Sequence, residues 1–187
     1  MPYTVNENYR LKKLAKLARE YKSILDIGCA QSPNPFLNNT YVTGLDLNSM
    51  QCPSNYSQHL VGTVESIIKS AEKYDAIVAG ELIEHIEKPI DFLRGCAHLL
   101  SDNGAIILST PNPHSPIETL LTLTLNKKYF YTREHITLYP QRWLIRMLEI
   151  AGFKNVKLYS GGFPFPKIGL IPCPRFFCHQ TIAIAYK

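Results

Sequence analysis

Short apolar runs alternate with helical stretches along most of this chain, and this alternation restricts the fold more than any other feature. The apolar runs predict seven strands: Ser23–Ile27, Tyr41–Leu45, Gln58–Val61, Tyr74–Ala79, Ala105–Thr110, Asn155–Tyr159 and Thr181–Tyr186. Helical spacing of apolar residues predicts helices at Asn6–Tyr21, Val64–Ala71, Pro89–Leu100 and Gln141–Ala151. Gly152 stands where a helix C-cap glycine belongs. Strands that alternate with helices predict a largely parallel sheet covered on both faces.

The length of 187 residues fits one domain, so we expect a single domain over residues 1–187 with an N-terminal helix within residues 1–22. Two segments, residues 111–140 and 161–180, are longer than ordinary connections. Long loops on an α/β scaffold commonly carry binding sites or form lids. We therefore expect these two segments to lie on the side of the sheet where ligands bind.

Composition excludes several classes of protein. A hydrophobic fraction of 45% with 19% charged residues excludes disorder for most of the chain. No apolar run approaches the roughly 20 residues of a membrane-spanning helix. The first residues lack the basic-then-apolar plan of a secretory signal. Five cysteines without a paired spacing indicate a reducing compartment, so we expect a cytoplasmic protein.

The formal net charge of +5 conceals a pattern along the chain. Residues 1–22 carry a net charge of +4, residues 23–125 carry −7, and residues 126–187 carry +8. An acidic middle argues against a generic nucleic-acid coat protein, whose basic charge would spread along a contact face. The basic C-terminal third favours an acceptor with acidic groups, or an anionic surface.

The first two predicted strands end in residues that suit a nucleotide site. Asp26 and Gly28 end the first strand, and Asp46 ends the second, 20 residues after Asp26. Glycine lets the backbone turn sharply and approach a ligand, and an acid after the second strand can accept both hydroxyls of a ribose. The loop lacks the three glycines of a dinucleotide fingerprint, because Ala30 and Pro33 occupy the later positions. Since prolines remove backbone donors, we expect a cofactor without a pyrophosphate.

Four stretches of the chain resemble the ordered motifs of class I S-adenosylmethionine-dependent methyltransferases, in particular the ubiquinone-biosynthesis O-methyltransferase branch. They are Ile24–Ala30, Gly44–Asp46, Tyr74–Ile86 and Leu99–Asn112. The resemblance implies a Rossmann-like α/β fold, with a seven-stranded, mostly parallel sheet, helices on both faces and the last strand antiparallel. It also implies S-adenosyl-L-methionine as cofactor. The residues expected to bind or shape the cofactor site are Asp26, Gly28, Cys29, Asp46, Leu47, Thr63 and Glu81.

Each of these residues has an expected place in the cofactor site. By the resemblance, Gly28 approaches the amino-acid part of the cofactor and Asp46 binds the ribose hydroxyls. The family often has an acid after the third strand to hold the adenine amine, whereas this chain has Gly62-Thr63-Val64-Glu65. Thr63 or the backbone that follows it is expected to serve there instead.

A Glu-x-x-Glu-His pattern follows the fourth predicted strand. On a helical turn Glu81, Glu84 and His85 would lie on one face, and two carboxylates with an imidazole suit a divalent ion. In the resembled branch this pattern can bind Mg²⁺ or Mn²⁺. A related pattern in the small-RNA 2′-O-methyltransferases is completed by a downstream histidine, for which His135 is the candidate here. The metal set expected from the resemblance is therefore Glu81, Glu84, His85 and His135.

Three interpretations of this pattern stay open at the level of sequence. A metal at the cluster would lower the pKa of a substrate hydroxyl and position it. Without metal, His85 could serve as general base, since histidine titrates near neutral pH. A structural role is the third, with the two glutamates at an acidic helix start. The catalytic candidates are Glu84, His85 and His135.

The acceptor cannot be named from the sequence. The segment 111–140 holds an apolar run at residues 117–125 and then Lys127-Lys128-Tyr129-Phe130-Tyr131, a combination typical of a lid helix or of a membrane interface. We expect O-methylation of a small-molecule acceptor, either lipid-linked or acidic. An RNA 2′-O-methyltransferase with metal-assisted catalysis is one alternative, and a non-catalytic S-adenosylmethionine-binding partner subunit is the other. Peripheral membrane contact is compatible with the first reading, and the sequence does not indicate the oligomeric state.

Overall fold

A computed structural model of the chain describes residues 7–69, 72–124, 135–165 and 167–187. The strands are β1 Ser23–Ile27, β2 Tyr41–Asp46, β3 Gln58–Val61, β4 Tyr74–Gly80, β5 Leu100–Pro111, β6 Lys154–Ser160, β7 Phe163–Phe165, β8 Gly169–Ile171 and β9 Gln180–Tyr186. The helices are α1 Asn8–Ala18, α2 Val64–Ile67, α3 Pro89–Leu99, α4 Pro116–Thr124 and α5 Gln141–Ile150. Two 3₁₀ turns cover Ile83–His85 and Arg175–Phe177.

Seven strands form one twisted layer in the order β3-β2-β1-β4-β5-β9-β6. The first five in this order pair in parallel, and β9 runs antiparallel to both of its neighbours. The predicted mixed sheet with an antiparallel last strand is confirmed. The chain reverses its direction of travel across the sheet between β1 and β4, which makes the carboxyl ends of these two strands a topological switch point.

Apolar residues on the two faces of the sheet form two separate cores. Leu25 and Ile27 of β1 face the core that contains Leu93 of α3. Ile24, one position away, faces the other core, which contains Leu14 of α1. This period of two follows from the alternation of side chains along a strand. Helices therefore cover both faces, as predicted, and in the described residues no helix is long and apolar enough to cross a bilayer.

Several boundaries differ from those predicted. β5 begins at Leu100 because Leu100 pairs with Tyr74 across a register shift, although the polar residues at 101–104 look like a turn. Helix α2 is shorter than predicted, and residues 70 and 71 lie outside the described residues. The segment rich in proline and phenylalanine is a two-stranded hairpin of β7 and β8 rather than only a loop. Gly152 has a φ of +103° directly after α5, which confirms the predicted helix end.

Strand register brings the residues of interest to one edge of the sheet. Ile27 pairs with Leu45 and with Ala79, so Gly28, Asp46 and the end of β4 follow at the same height. Gly80 pairs with Ser109 of β5, and Pro111 pairs with Gln180 at the start of β9. Because β9 is antiparallel, its first residues lie at the edge where the parallel strands end.

Candidate functional site

Gly28 forms a sharp turn at the carboxyl end of β1. Its φ is +78°, a left-handed conformation that glycine adopts without the steric penalty of a Cβ, and its amide donates to the Leu45 carbonyl at 2.8 Å. Cys29, which follows, is 2% exposed. It packs so closely on Gly44 that a Cβ there would lie 2.9 Å from the Cys29 sulfur. The turn therefore leaves backbone, rather than side chains, next to the crevice at the switch point.

The Asp46 carboxylate is held in place by backbone amides. One oxygen accepts from the Ala30 amide at 2.9 Å, and the other accepts from the Asn48 amide at 2.8 Å. The Asn48 side-chain amide also donates to that second oxygen, at 3.3 Å, so one lone pair of the first oxygen stays open and the long Asn48 contact is the one a ligand would have to replace. Leu47, beside it, is 71% exposed and offers an apolar surface at the same place. This arrangement is suited to a ligand that carries two neighbouring hydroxyls.

Thr63 caps helix α2 with its side chain. Its hydroxyl accepts from the Ser66 amide at 3.3 Å, and the Ser66 hydroxyl accepts from the Thr63 amide at 3.0 Å, which together form a capping box. The Thr63 hydroxyl oxygen thus accepts within the turn and keeps its O–H as a donor. A ligand at the end of β3 would meet this hydroxyl together with the backbone of the turn.

Asp26 lies behind the crevice rather than in it. It is 5% exposed, and the Tyr56 hydroxyl donates to its carboxylate. Tyr56 in turn accepts from the Asn34 amide at 2.9 Å. Burial raises the pKa of Asp26 to about 6, against the opposing effect of the Tyr56 hydrogen bond. Asp26 therefore connects β1 to the segment between β2 and β3 and, through Tyr56, to Asn34 in the loop before β2.

Glu81 adopts an unusual backbone conformation at the end of β4. Its φ is +52°, and its amide donates to both the carbonyl and the hydroxyl of Ser109, at 3.0 and 3.2 Å. Its carboxylate accepts from the Gln180 side-chain amide at 2.9 Å. Burial raises the pKa of Glu81, and the charge of Arg10 opposes that rise. The left-handed residue turns Glu81 away from the helical face that the sequence had suggested for it.

Arg10 of α1 is a buried cation at this site that the sequence analysis did not identify. It is 3% exposed, donates to the Ser109 hydroxyl at 3.1 Å, and forms an ion pair with Glu7. A Cβ on Gly80 would lie 2.7 Å from its guanidinium, so this glycine makes room for it. One signal in the sequence could have found it: Arg10 stands four residues before Leu14, on the apolar face of the helix.

Glu84, His85 and His135 come together as the sequence predicted. One ligand atom from each lies within 4.8 Å of the others, and the two imidazole rings meet edge to face at 4.8 Å between centroids. The Ile136 amide donates to the Glu84 carbonyl at 2.8 Å, which holds His135 against the 3₁₀ turn. Glu81 is outside this group. The structure therefore assembles three of the four expected metal ligands.

The Glu84 carboxylate is buried and unpaired. The residue is 0% exposed, and neither oxygen accepts a hydrogen bond from any described residue. The Thr110 hydroxyl lies beside it and also lacks a partner of ordinary geometry. Burial first, and then the Glu81 carboxylate, raises the pKa of Glu84 to about 8. An orphaned buried carboxylate next to two imidazoles fits a divalent cation such as Mn²⁺, which accepts both oxygen and nitrogen ligands.

Unpaired buried polar atoms concentrate at this edge of the sheet. Among the described residues, one such atom lies elsewhere, on the His59 side chain. The remaining unpaired buried atoms belong to Arg10, Glu81, Glu84, Thr110, His179 and Gln180. Native proteins satisfy most buried polar groups, so such a cluster indicates a place where a ligand supplies the missing partners.

The two long segments, residues 111–140 and 161–180, expose apolar side chains. Leu120 and Leu123 of α4 are 63% and 75% exposed, and Phe176 is 66% exposed. The predicted basic and aromatic run from Lys127 to Tyr131 lies outside the described residues. The described part of these segments forms α4, the β7–β8 hairpin and the 3₁₀ turn at Arg175–Phe177.

Comparison with known proteins adds to this geometry. A sequence profile of the family described as a methyltransferase domain matches residues 6–158. The ubiquinone biosynthesis O-methyltransferase of Serratia proteamaculans (strain 568) is 25% identical over 146 residues, which cover 71% of this chain and 59% of that protein. The chain thus spans less than two thirds of that relative's length.

Solved structures match the fold over almost the whole chain. A SAM-dependent methyltransferase from Archaeoglobus fulgidus has a TM-score of 0.69 at 18% identity, over 96% of this chain and 94% of that one. The plantazolicin methyltransferase BpumL, solved in complex with SAH, has a TM-score of 0.68 at 20% identity, over 97% and 82%. At these identities the matches show a shared fold.

Proposed function

The chain belongs to the methyltransferase-domain family, and from this membership we propose that it transfers the methyl group of S-adenosylmethionine to an oxygen atom of a small-molecule acceptor. The observation that carries the proposal is the pairing of the Gly28 turn with the Asp46 carboxylate at the switch point of the sheet. In open α/β sheets nucleotide ligands bind there.

The cofactor site follows from the chemistry of S-adenosylmethionine. Asp46 accepts one ribose hydroxyl with the open lone pair of Oδ2 and the other at Oδ1, where that hydroxyl replaces the long contact from the Asn48 side chain. The exposed Leu47 lies along the adenosine. The Thr63 turn lies at the adenine end, and the Gly28 backbone lies at the amino-acid end. Arg10 supplies the buried positive charge for the cofactor carboxylate, in exchange for Glu7. Asp26, Cys29 and Glu81 shape the site around these contacts.

Methyl transfer forms a bond between the acceptor oxygen and the methyl carbon while the bond from that carbon to sulfur breaks. The sulfonium loses its charge and leaves as S-adenosylhomocysteine, and the acceptor hydroxyl gives up its proton. The protein must hold the oxygen in line with the carbon–sulfur bond, because such positioning supplies much of the rate. The edge formed by β4 and β5 is where the acceptor has to lie.

Glu84, His85 and His135 would hold a divalent ion, Mg²⁺ or Mn²⁺, beside that acceptor. A bound ion lowers the pKa of a neighbouring hydroxyl and fixes its orientation. The unpaired Glu84 carboxylate favours this interpretation over metal-free base catalysis by His85, because an orienting acid would accept a hydrogen bond from the imidazole and neither Glu84 oxygen accepts one from a described residue. Glu81 does not join this group, because its carboxylate accepts a hydrogen bond from Gln180. We therefore assign Glu81 to the cofactor side of the site.

The acceptor is acidic or lipid-linked in this proposal. Residues 126–187 carry a net charge of +8, and Phe165, Ile168 and Phe176 are at least half exposed beside Lys167 and Arg175. Apolar side chains flanked by cations suit peripheral contact with an anionic membrane. Cosedimentation with phosphatidylglycerol vesicles, and not with phosphatidylcholine vesicles, would support that contact. All five cysteines are free in the structure, and a cytoplasmic location is part of the same proposal.

The proposal is tested in two steps. Calorimetry should show binding of S-adenosylmethionine and S-adenosylhomocysteine, and no heat at millimolar cofactor would refute the proposal. Transfer of a tritiated methyl group is then measured to catechols, phenols and RNA oligonucleotides with free 3′ ends. Methylation of the catechol that is lost in excess chelator would support the proposed metal site. Methylation of the RNA would instead identify an RNA 2′-O-methyltransferase. Tight cofactor binding with no transfer would indicate a non-catalytic subunit.

A further inference from the structure

His179 stands immediately before β9, at the edge of the sheet that carries the candidate site and outside the group formed by Glu84, His85 and His135. Its backbone is held on two sides: its amide donates to the Gly162 carbonyl, and its carbonyl accepts from the Asn112 amide, both at 2.8 Å. Asn112 follows β5, so the backbone of His179 is fixed to the strand that ends beside Glu81. The sheet therefore sets the place from which this side chain projects.

Glu118 of α4 faces the ring of His179. Its carboxylate oxygen lies 3.9 Å from Nδ1, and Nδ1 is buried without a hydrogen bond. The gap is longer than a hydrogen bond, although catalytic pairs are often long before substrate binds. The Glu118 amide donates to the Ser115 hydroxyl at 3.1 Å, which fixes the first turn of the helix. The His179 side chain as a whole is 25% exposed. Since its Nδ1 is directed at Glu118, the exposed part of the ring is the part that a ligand can contact.

The same edge leads directly to the cofactor side. Gln180, the next residue, donates to the Glu81 carboxylate at 2.9 Å, and Glu81 donates its amide to Ser109. Arg10 contacts that same serine. His179 is thus joined by one peptide bond to Gln180, whose side chain binds the carboxylate that borders the proposed cofactor site.

The charge state of His179 suits acceptance of a proton. Burial lowers its pKa, and the Glu118 and Glu7 carboxylates, from α4 and from the start of α1, oppose that effect. A lowered pKa leaves the imidazole neutral near pH 7, with a lone pair on one nitrogen. The paired carboxylate then stabilises the imidazolium that forms, which is the arrangement of base and orienting acid found in many enzymes.

We propose that His179, oriented by Glu118, contacts the acceptor and takes the proton of the hydroxyl that becomes methylated. The inference rests on the proposed function. The acceptor O–H bond breaks with its proton passing to His179, the O–CH₃ bond forms, and the C–S bond breaks with its electron pair passing to sulfur. Solvent later removes the proton. A divalent ion held by Glu84, His85 and His135 would occupy their lone pairs, and a base outside that cluster would then take the proton.

The test measures methyl transfer to 3,4-dihydroxybenzoate, an acidic catechol, with Mg²⁺ present. General-base catalysis contributes about 100-fold or more, so His179→Gln should lower kcat by at least that factor, and Glu118→Gln should lower it less. His98→Gln, on exposed α3 surface, is the matched control and should leave kcat unchanged. S-adenosylhomocysteine binding, measured by calorimetry, should be the same in all four proteins. Added imidazole should restore part of the rate to His179→Ala.

The pH profile separates a base from a structural histidine. The Glu118 carboxylate raises the pKa of His179, so Glu118→Gln should shift the acidic limb of the kcat profile to lower pH. Full activity in His179→Gln, an unmoved limb in Glu118→Gln, or loss of cofactor binding in His179→Gln would each overturn the inference. A parent protein that binds no cofactor refutes the proposed function itself, and this inference falls with it.

Discussion

Replacement of Glu84 by glutamine should remove a specific pH dependence from the stability of the metal-free protein. The pKa of Glu84 is raised from 4.5 to about 8 in the folded state, chiefly by burial. Between these values the folded protein holds a proton that the unfolded chain has released. Stability must therefore fall as pH rises through this window, the opposite of the behaviour of an ordinary salt-bridged acid.

The magnitude follows from the shift. Each pKa unit corresponds to about 1.4 kcal/mol, so the buried carboxyl costs about 2 kcal/mol of stability at pH 6 and about 4 kcal/mol at pH 8. The difference of about 2 kcal/mol should lower Tm by roughly 4–8 °C in a domain of this size. Glutamine has nearly the same shape and does not titrate in this range. Glu84→Gln should therefore lack this part of the change in Tm.

The assay is calorimetric unfolding in excess EDTA at pH 6 and pH 8. Asp26 and His179 also have shifted pKa values, but they are common to both proteins and largely cancel in the comparison. Glu81 also has a raised pKa, and because its charge acts on Glu84, its part in the difference belongs to the same buried acid pair. Glu87→Gln, at an exposed glutamate three residues away, is the matched control and should behave like the parent. If Glu84→Gln keeps the full pH dependence of the parent, the carboxyl is not buried and unpaired as described.

The proposed metal site predicts a second difference between the same two proteins. A cation stabilises a protein by binding its folded state, and it requires the ionised carboxylate. Mn²⁺ should therefore raise the Tm of the parent more at pH 8 than at pH 6, and should do little for Glu84→Gln. Equal stabilisation of both proteins would place the ion elsewhere.

Three further predictions concern the cofactor side of the site. Asp46→Asn removes charge-assisted hydrogen bonds and should weaken S-adenosylhomocysteine binding about 10–100-fold by calorimetry with little change in Tm; unchanged affinity would exclude Asp46 from the ribose site. Arg10→Met should weaken S-adenosylhomocysteine but not 5′-methylthioadenosine, which lacks the carboxylate, and equal losses for both would contradict the proposed contact. At Gly28 the φ is +78°, and an added Cβ would lie 3.1 Å from the Leu82 side chain. Gly28→Ala should therefore lower the free energy of unfolding by about 1–2 kcal/mol through backbone strain, and it should also weaken cofactor binding. Gly152→Ala, with open space around it, should show strain alone, so preserved affinity in Gly28→Ala would count against the close approach.

The strands could be predicted from the sequence wherever a strand is buried on both faces, because burial leaves a continuous apolar run. The strand Ser23–Ile27 has the predicted bounds for this reason. The strand Gln58–Val61 is less buried, and it has the predicted bounds because turn residues delimit it. The beginning of β5 at Leu100 could not be predicted, since it depends on the pairing with Tyr74 rather than on local pattern. The β7–β8 hairpin escaped for the same reason, as three-residue strands with a proline have no local signature.

The residues of the candidate site also divide into those that local sequence indicates and those that only the fold brings together. Gly28 and Asp46 could be identified because each follows an apolar run directly, and Glu84 with His85 because they are neighbours in sequence. The shape of the turn was less accessible: Glu81 leaves the expected helical face because its backbone is left-handed. Arg10, Gln180 and His179 reach the edge only through helix packing and an antiparallel strand. Their distance along the chain from the motifs hides their proximity in space.

The reversal of β9 has a consequence for how such a chain can diversify. It delivers residues from the last tenth of the sequence to an edge otherwise built by the ends of parallel strands in the first two thirds. Groups proposed to hold the cofactor and groups proposed to meet the acceptor therefore come largely from separate, non-adjacent stretches of the chain. On the proposed function, substitutions in the hairpin and at the start of β9 would change the acceptor preference and leave the residues proposed for the cofactor unchanged. Chimaeras that exchange residues 161–180 between relatives would sample acceptor preference on a constant scaffold.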